Sequence, residues 1–231
     1  MDRALIVMAK EPMAGKTKTR LSPPLSGQEA AELYRCFLLD TLELMQRVEL
    51  AQPIIAYAPD EARPFFRRFA PPGFGFVPQV GADLGERLDN VLTYCLQNGY
   101  GQAVVTDSDS PTLPVDHLWR AFQMLDDPAV DVVLGPCDDG GYYLIGLKSP
   151  CSILFRGVAM STPTVVTDTL ARAREQGLRV ASLPGWYDVD TYQDLARLDQ
   201  ELSALPADQA RHTRAFLSHA GVLLKHVSER A

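Results

Sequence analysis

The segment Gln102–Pro114, QAVVTDSDSPTLP, joins a short apolar run to a pair of acids. Ala103–Val105 reads as the end of a buried strand, and Asp107-Ser108-Asp109 follows at once, ahead of Pro111 and Pro114, which forbid regular structure. Carboxylates at i and i+2 beyond the end of a strand sit where open α/β sheets place their ligands. Such oxygen donors suit a hard divalent cation, Mg²⁺ or Mn²⁺, held against a phosphorylated substrate, with Asp107 and Asp109 as metal ligands. Asp and Ser also build ordinary turns, so the triplet alone leaves both uses open.

A second chemical stretch is Lys10–Leu21, KEPMAGKTKTRL, where Pro12 and Gly15 exclude helix and strand while Lys10, Lys16, Lys18 and Arg20 crowd one loop. A glycine-containing loop after a first strand offers backbone N–H groups to phosphate, and its cations neutralise the charge. Neither the G-x-x-x-x-G-K-[ST] nor the G-x-G-x-x-G spacing is present, and a solvated basic loop is the competing account. In Cys137-Asp138-Asp139-Gly140-Gly141-Tyr142, two acids precede two glycines that admit close approach by a ligand or by backbone. A plain hairpin turn explains the same pattern. Asp190, in Trp186–Thr191, stands at a strand-to-helix junction as Asp109 nearly does, and the two acids can share one cation if the sheet brings those ends together. An acid favouring a helix N-terminus is the rival explanation.

The elements that would position these residues are legible as alternating runs. Strands are expected at 3–9, 53–58 and 74–77, with further strands ending in the run 103–105, at 130–134, after the Gly140-Gly141 turn towards Leu147, and at 178–183. Helices are expected from the Ser26/Glu29 capping box to about Val48, over 60–69, from the Gly81–Arg87 segment to Asn98-Gly99, over 114–125, from Ser161 to Gln176, and after Thr191, which with Asp194 can form a second capping box. This alternation predicts an α/β fold with a mostly parallel central sheet and helices on both faces. The 231 residues suffice for one large domain, 1–231, with 206–231 as a helical tail. In that tail His212, His219 and His226 are seven apart, too far along a helix axis to share one ion. His117 is expected at the surface or behind the site.

A net charge of −7 argues against a nucleic-acid partner, although five of the 22 Lys+Arg fall in the first 20 residues, which suggests a small localised anion. The four cysteines form no C-x-x-C pair and read as free thiols, and with no signal-peptide pattern a cytoplasmic location is expected. No apolar run is long enough to span a membrane. Oligomeric state is not readable.

Four ordered motifs together resemble the DUF2064 family: K-x-P-x-x-G-x-x-K-T-R-L at Lys10–Leu21, D-x-D-S-P-T-L, D-G-G-Y-Y-L-I-G-L at Asp139–Leu147, and W-Y-D-V-D-T…D-L at Trp186–Leu195. Those proteins are glycosyltransferase-like members of the nucleotide-diphospho-sugar transferase superfamily with a GT-A fold. The resemblance implies a metal-dependent transferase with a nucleotide-sugar or NTP donor and a small-molecule acceptor, in which Asp109 and Asp190 hold the cation and Lys10, Lys18 and Arg20, with Gly15, bind phosphates. By family analogy base contacts fall in Gly81–Arg87, with Asp83 and Arg87 as the residues to watch. Asp138 or Asp139 is the candidate for orienting or deprotonating the acceptor hydroxyl, with Gly140, Gly141 and Tyr142 beside it. The more distant guanylyltransferases of the superfamily begin with a L-A-G-G-x-S-x-R-M-G type of loop, from which Lys10-Glu11-Pro12 departs.

Overall fold

The computed structural model describes the backbone of residues 2–228 and side chains through residue 219. The chain divides into two compact units: one holds residues up to 11, 44–107 and 113–187, and the other holds 12–43, 108–112 and the chain from Asp188 on.

The first unit contains a seven-stranded sheet made of β1 (Arg3–Lys10), β2 (Gln52–Ala58), β3 (Gly75–Pro78), β4 (Gln102–Thr106), β5 (Val132–Pro136), β6 (Tyr142–Leu147) and β7 (Val180–Ser182), in the order β3-β2-β1-β4-β6-β5-β7. Its strands are continuous apolar runs because both faces are covered, as in Ala4-Leu5-Ile6-Val7, where every residue is buried. β6 alone runs against its neighbours: it pairs antiparallel with β4 and β5, while every other pairing is parallel. It enters by the hairpin at 137–141 and inserts between β4 and β5, a placement that the order of runs in the chain does not reveal.

Four helices belong to this unit: α2 (Arg63–Phe69), α3 (Leu84–Gln97), α4 (Val115–Asp126) and α5 (Val165–Glu175). Leu88, Val91, Leu92 and Cys95 of α3 and Ala173 of α5 pack with Ala103, Val105 and Ile145 in one apolar layer. α4 lies on the opposite face, where a Cβ at Gly146 would come 2.9 Å from Val104 Cγ2 and 3.1 Å from Leu125 Cδ1. The glycine in mid-strand is therefore a packing requirement.

The second unit contains most of α1 (Gly27–Gln46), together with α6 (Tyr192–Ala204) and α7 (Arg211–Ser228). Both expected capping boxes form: Ser26 with Glu29 at α1, and Thr191 with Asp194 at α6. The segment 108–112 is polar yet buried, with Ser108, Ser110 and Thr112 no more than 4% exposed. Tyr34 Oη lies 3.0 Å from Ser108 Oγ, Thr112 Oγ1 donates to Glu201 Oε2 at 2.9 Å, and Gln209 Nε2 donates to the Thr112 carbonyl at 3.0 Å. A buried loop is stable only when its polar groups are matched in this way, and the matching fixes Asp109 in its middle. His226 and the apolar positions around it lie outside the described side chains.

Candidate functional site

In the second unit one backbone hydrogen bond, Val189 N to the Asp109 carbonyl at 2.9 Å, registers two acids that the chain separates by 81 positions. Thr191 begins the α6 cap immediately after, and the Asp194 carboxylate accepts from the backbone N–H of Asp190 and Thr191. Asp190 is thus fixed between a backbone bond on one side and a capping box on the other.

The basic loop supplies the third member. Thr17 closes a turn on Met13 through its backbone N–H and its hydroxyl, and the buried Leu21 anchors the short 3-10 turn Thr19–Leu21. Between them Lys18 adopts φ 49 and ψ 42, a left-handed conformation uncommon for a residue with a side chain. Lys18 Nζ then lies 2.9 Å from Asp109 Oδ1 and 2.7 Å from Asp190 Oδ1, with its side chain only 5% exposed. Burial alone would lower the Lys18 pKa, but Asp109 and Asp190 outweigh it and hold the amine above its ordinary value, fully charged. Arg20, with a 75% exposed side chain, approaches Asp190 Oδ2 at 3.6 Å from the rim. Asp109 Oδ1 is fully buried and faces the Lys18 ammonium. An all-oxygen donor set that already surrounds one cation fits a hard divalent cation.

Of the residues expected at a site, the structure gathers Lys18, Arg20, Asp109 and Asp190. Gly15 belongs to the same unit and has φ +74, the left-handed region that justifies a glycine in the loop. Lys10 and Asp107 belong to the first unit, at or just beyond the ends of the adjacent parallel strands β1 and β4, and Asp107 N donates to the Tyr143 carbonyl. Asp83 is the N-cap of α3, accepting from Glu86 N at 2.8 Å, and Arg87 Nε donates to the Gly81 carbonyl at 3.0 Å. Both residues therefore already serve the shape of that loop.

The glycine turn shows the second of its two expected uses, close approach by backbone. Gly140 has φ +89, and a Cβ there would lie 2.1 Å from the Pro163 carbonyl oxygen, so close backbone packing requires this glycine. Asp139 Oδ1 accepts from Gly141 N at 2.8 Å, a local turn bond, and Asp138 N donates to the Trp186 carbonyl. The Tyr142 ring is half-buried against the apolar layer with its hydroxyl 3.9 Å from Met160 Sδ. Burial raises the pKa of that phenol.

Residues 41–162 match a family model described as an uncharacterized protein conserved in bacteria, DUF2064. The chain belongs to the DUF2064 family. This DUF2064 chain is 33% identical to a protein from Desulfovibrio desulfuricans G20, provisionally named a nucleotide-diphospho-sugar transferase, whose crystal structure superposes with a TM-score of 0.89 over 97% of both chains. It is 26% identical over 193 residues, 78% of each protein, to a 2-phospho-L-lactate guanylyltransferase of Methanothermobacter thermautotrophicus. A cytidylyltransferase from Leptospira borgpetersenii, 10% identical, shares the fold alone, with a TM-score of 0.55 over 96% of both chains. The DUF2064 chain thus has a nucleotide-diphospho-sugar transferase fold of the kind used by transferases of nucleotidyl and sugar groups. Among the described residues no helix is long and apolar enough to cross a membrane, and all four cysteines are free thiols.

His117, expected at the surface or behind the site, is 8% exposed, and its Nδ1 lies 2.9 Å from the Tyr143 hydroxyl, which also donates to the Pro184 carbonyl at 3.0 Å. Burial, the largest influence, lowers the His117 pKa and favours the neutral ring. Gly135 completes this cluster, because a Cβ there would fall 2.4 Å from Tyr143 Cζ. A helical histidine followed on another element by a tyrosine carries no local signal of such a pairing.

Proposed function

We propose that this protein is a divalent-cation-dependent transferase acting on a nucleotide-activated donor, with a nucleotide sugar as donor and a small hydroxylated molecule as acceptor. The observation that supports it is the convergence of Asp109 and Asp190, from separate parts of the chain, on one cation position inside a buried polar loop. Asp109 and Asp190 would hold Mg²⁺ or Mn²⁺, with Asp107 assisting. Such an ion, when bound, neutralises diphosphate charge and favours departure of the leaving oxygen. Lys18 and Arg20 add fixed positive charge for the same phosphates, and Lys10 lies in the same motif. Asp138 and Asp139 are assigned the acceptor hydroxyl, which attacks the anomeric carbon as its bond to the diphosphate breaks.

A second reading, transfer of a nucleotidyl group from an NTP to a phosphorylated acceptor, is favoured by the likeness to the guanylyltransferase. Incubation of the protein and Mn²⁺ with UDP-, GDP- and ADP-sugars, and in parallel with the free NTPs, across hydroxylated and phosphorylated acceptors separates the two. Acceptor-dependent release of nucleoside diphosphate is the expected result. Acceptor-dependent release of pyrophosphate would transfer the assignment to the second reading.

A further inference from the structure

The nitrogen of Lys18 stands within 3 Å of Asp109 Oδ1 and of Asp190 Oδ1, the oxygens to which the proposed function gives a divalent cation. We propose that Lys18 is a resident cation that fills this position in the ligand-free protein and must swing out before a metal ion can enter, so that free metal competes with it and binds only weakly until a polyphosphate draws the ammonium away. This inference rests on the reading of Asp109 and Asp190 as cation ligands.

Geometry excludes shared occupancy. Mg²⁺ needs carboxylate oxygens at about 2.1 Å, and an ammonium bridging Asp109 Oδ1 and Asp190 Oδ1 leaves it no room on those two oxygens and only half of the acids' charge. The repulsion between the two cations would be strong where the Lys18 side chain is only 5% exposed. A divalent cation neutralises the two acids and the ammonium offsets half of their charge, whereas removing both would leave them facing each other half-buried. The lysine is also made to move: its ammonium sits on a flexible four-carbon stem, and its backbone is a single left-handed residue between the Met13–Thr17 turn and the Thr19–Leu21 turn. Arg20 differs in each respect, being 75% exposed and 3.6 Å from the outer oxygen of Asp190, so it does not fill the gap. An ammonium that leaves two carboxylates for a diphosphate exchanges one pair of anionic oxygens for another and keeps its charge matched throughout. Metal and polyphosphate would then bind with mutual reinforcement.

The test uses Mn²⁺ alone, without nucleotide, with free ion followed by electron paramagnetic resonance. Wild-type protein is expected to bind Mn²⁺ weakly, and Lys18→Met to bind it at least about tenfold more tightly, because a competing buried charge is gone. Adding Asp190→Asn to Lys18→Met should abolish the gain. Tight binding by the wild type that Lys18→Met does not improve, yet Asp190→Asn abolishes, would overturn the resident-cation proposal and leave the cation reading standing. Binding in every variant that ignores Asp190→Asn would overturn the cation reading, and the proposal with it. A measurement on the unaltered chain guards against misfolding of the variant: acylation of Lys18 by acetic anhydride, read by peptide mass spectrometry, should be slow in the free protein and several-fold faster under saturating Mn²⁺. An unchanged rate with Mn²⁺ bound would overturn the proposal.

Discussion

Two ionic clusters in the second unit are assembled over the same chain distance, and they spend their acids differently. Asp40 and Glu43 of α1 meet the start of α7, where Asp40 accepts from the backbone N–H of His212 at 3.0 Å and of Thr213 at 2.9 Å. Glu43 takes the Arg211 guanidinium and His212 Nε2. Asp40, Glu43 and His212 could be mistaken for a metal site, since their ligand atoms all lie within 4.8 Å of one another. Each acid there answers a donor that α7 needs satisfied, so the cluster is a helix cap supplied from a distant helix. In the Lys18–Asp109–Asp190 cluster no helix end is served by Asp109, and its buried Oδ1 faces a side-chain ammonium instead. Convergence of charges alone does not mark a functional site; what separates the two clusters is that one set of acids caps a helix and the other is held by a side chain that can move.

Asp109→Asn is the sharpest way to break this contrast. It should weaken Mn²⁺-dependent binding of nucleoside diphosphates by about a hundredfold or more, as loss of a charged ligand does, while the melting temperature stays nearly unchanged. Titration calorimetry with and without Mn²⁺, beside a thermal melt, measures both. A large fall in stability with retained binding would place Asp109 with Asp40 as a structural acid. Asp40→Ala should do the converse, costing about 2 kcal/mol through two unmatched N–H groups at the start of α7, or roughly 4–8 °C for a chain of this size. Nucleotide affinity per folded molecule should not change.

Acid pH sharpens the comparison within the capping cluster itself. At Glu43 burial works to raise the pKa, but the bonds from Arg211 and His212 outweigh it and the net shift is downward from 4.5. Its contribution is therefore fully present above that value and is lost as the pH falls below it. At Asp40 burial dominates the bonds from Thr213 and His212, and the net shift is upward from 3.8. The folded state then takes up the proton first, so ionised Asp40 costs stability that is regained as the pH falls through its raised value. Melts from pH 7 to pH 4 should show the gap between wild type and Glu43→Gln closing at the acid end. The gap between wild type and Asp40→Asn should move the other way, and parallel trends would contradict the assignment.

What the sequence makes legible follows from how local each signal is. Apolar runs mark the strands, and the Ser26/Glu29 and Thr191/Asp194 boxes mark two helix starts, because each is settled within a few residues. That Asp109 and Asp190 stand together depends on the bond from Val189 N to the Asp109 carbonyl, which no local signal encodes; the sequence shows only that each acid lies between an apolar run and a helix start. The insertion of β6 between β4 and β5 depends on pairings that no local pattern encodes. Lys18 was legible as a basic residue and invisible as a buried one. In the string Lys16-Thr17-Lys18-Thr19-Arg20 the cations look equivalent, yet Lys16 and Arg20 are exposed while Lys18 turns inward at a left-handed residue. Asp40 was hidden for the opposite reason, as an acid inside an apolar helix face whose partner lies more than 170 positions on.

Arg20 supplies the smallest and most discriminating test of that difference among the cations. As an exposed group 3.6 Å from Asp190 Oδ2, it forms a pair of the kind that contributes little to stability, so Arg20→Ala should leave the melting temperature within about 1 °C. Its loss should weaken Mn²⁺-dependent diphosphate binding by roughly three- to tenfold at low salt, and that deficit should fade by about 0.5 M salt, where charges on the surface are screened. Lys18→Met should also weaken diphosphate binding, but its deficit should persist at the same salt concentration if the ammonium meets the phosphate beside the buried position from which it swings, where its side chain is 5% exposed and counter-ions have little access. Equal salt sensitivity in the two variants would mean that Lys18 meets the phosphate in open solvent, and the distinction between an inner and an outer cation would fail.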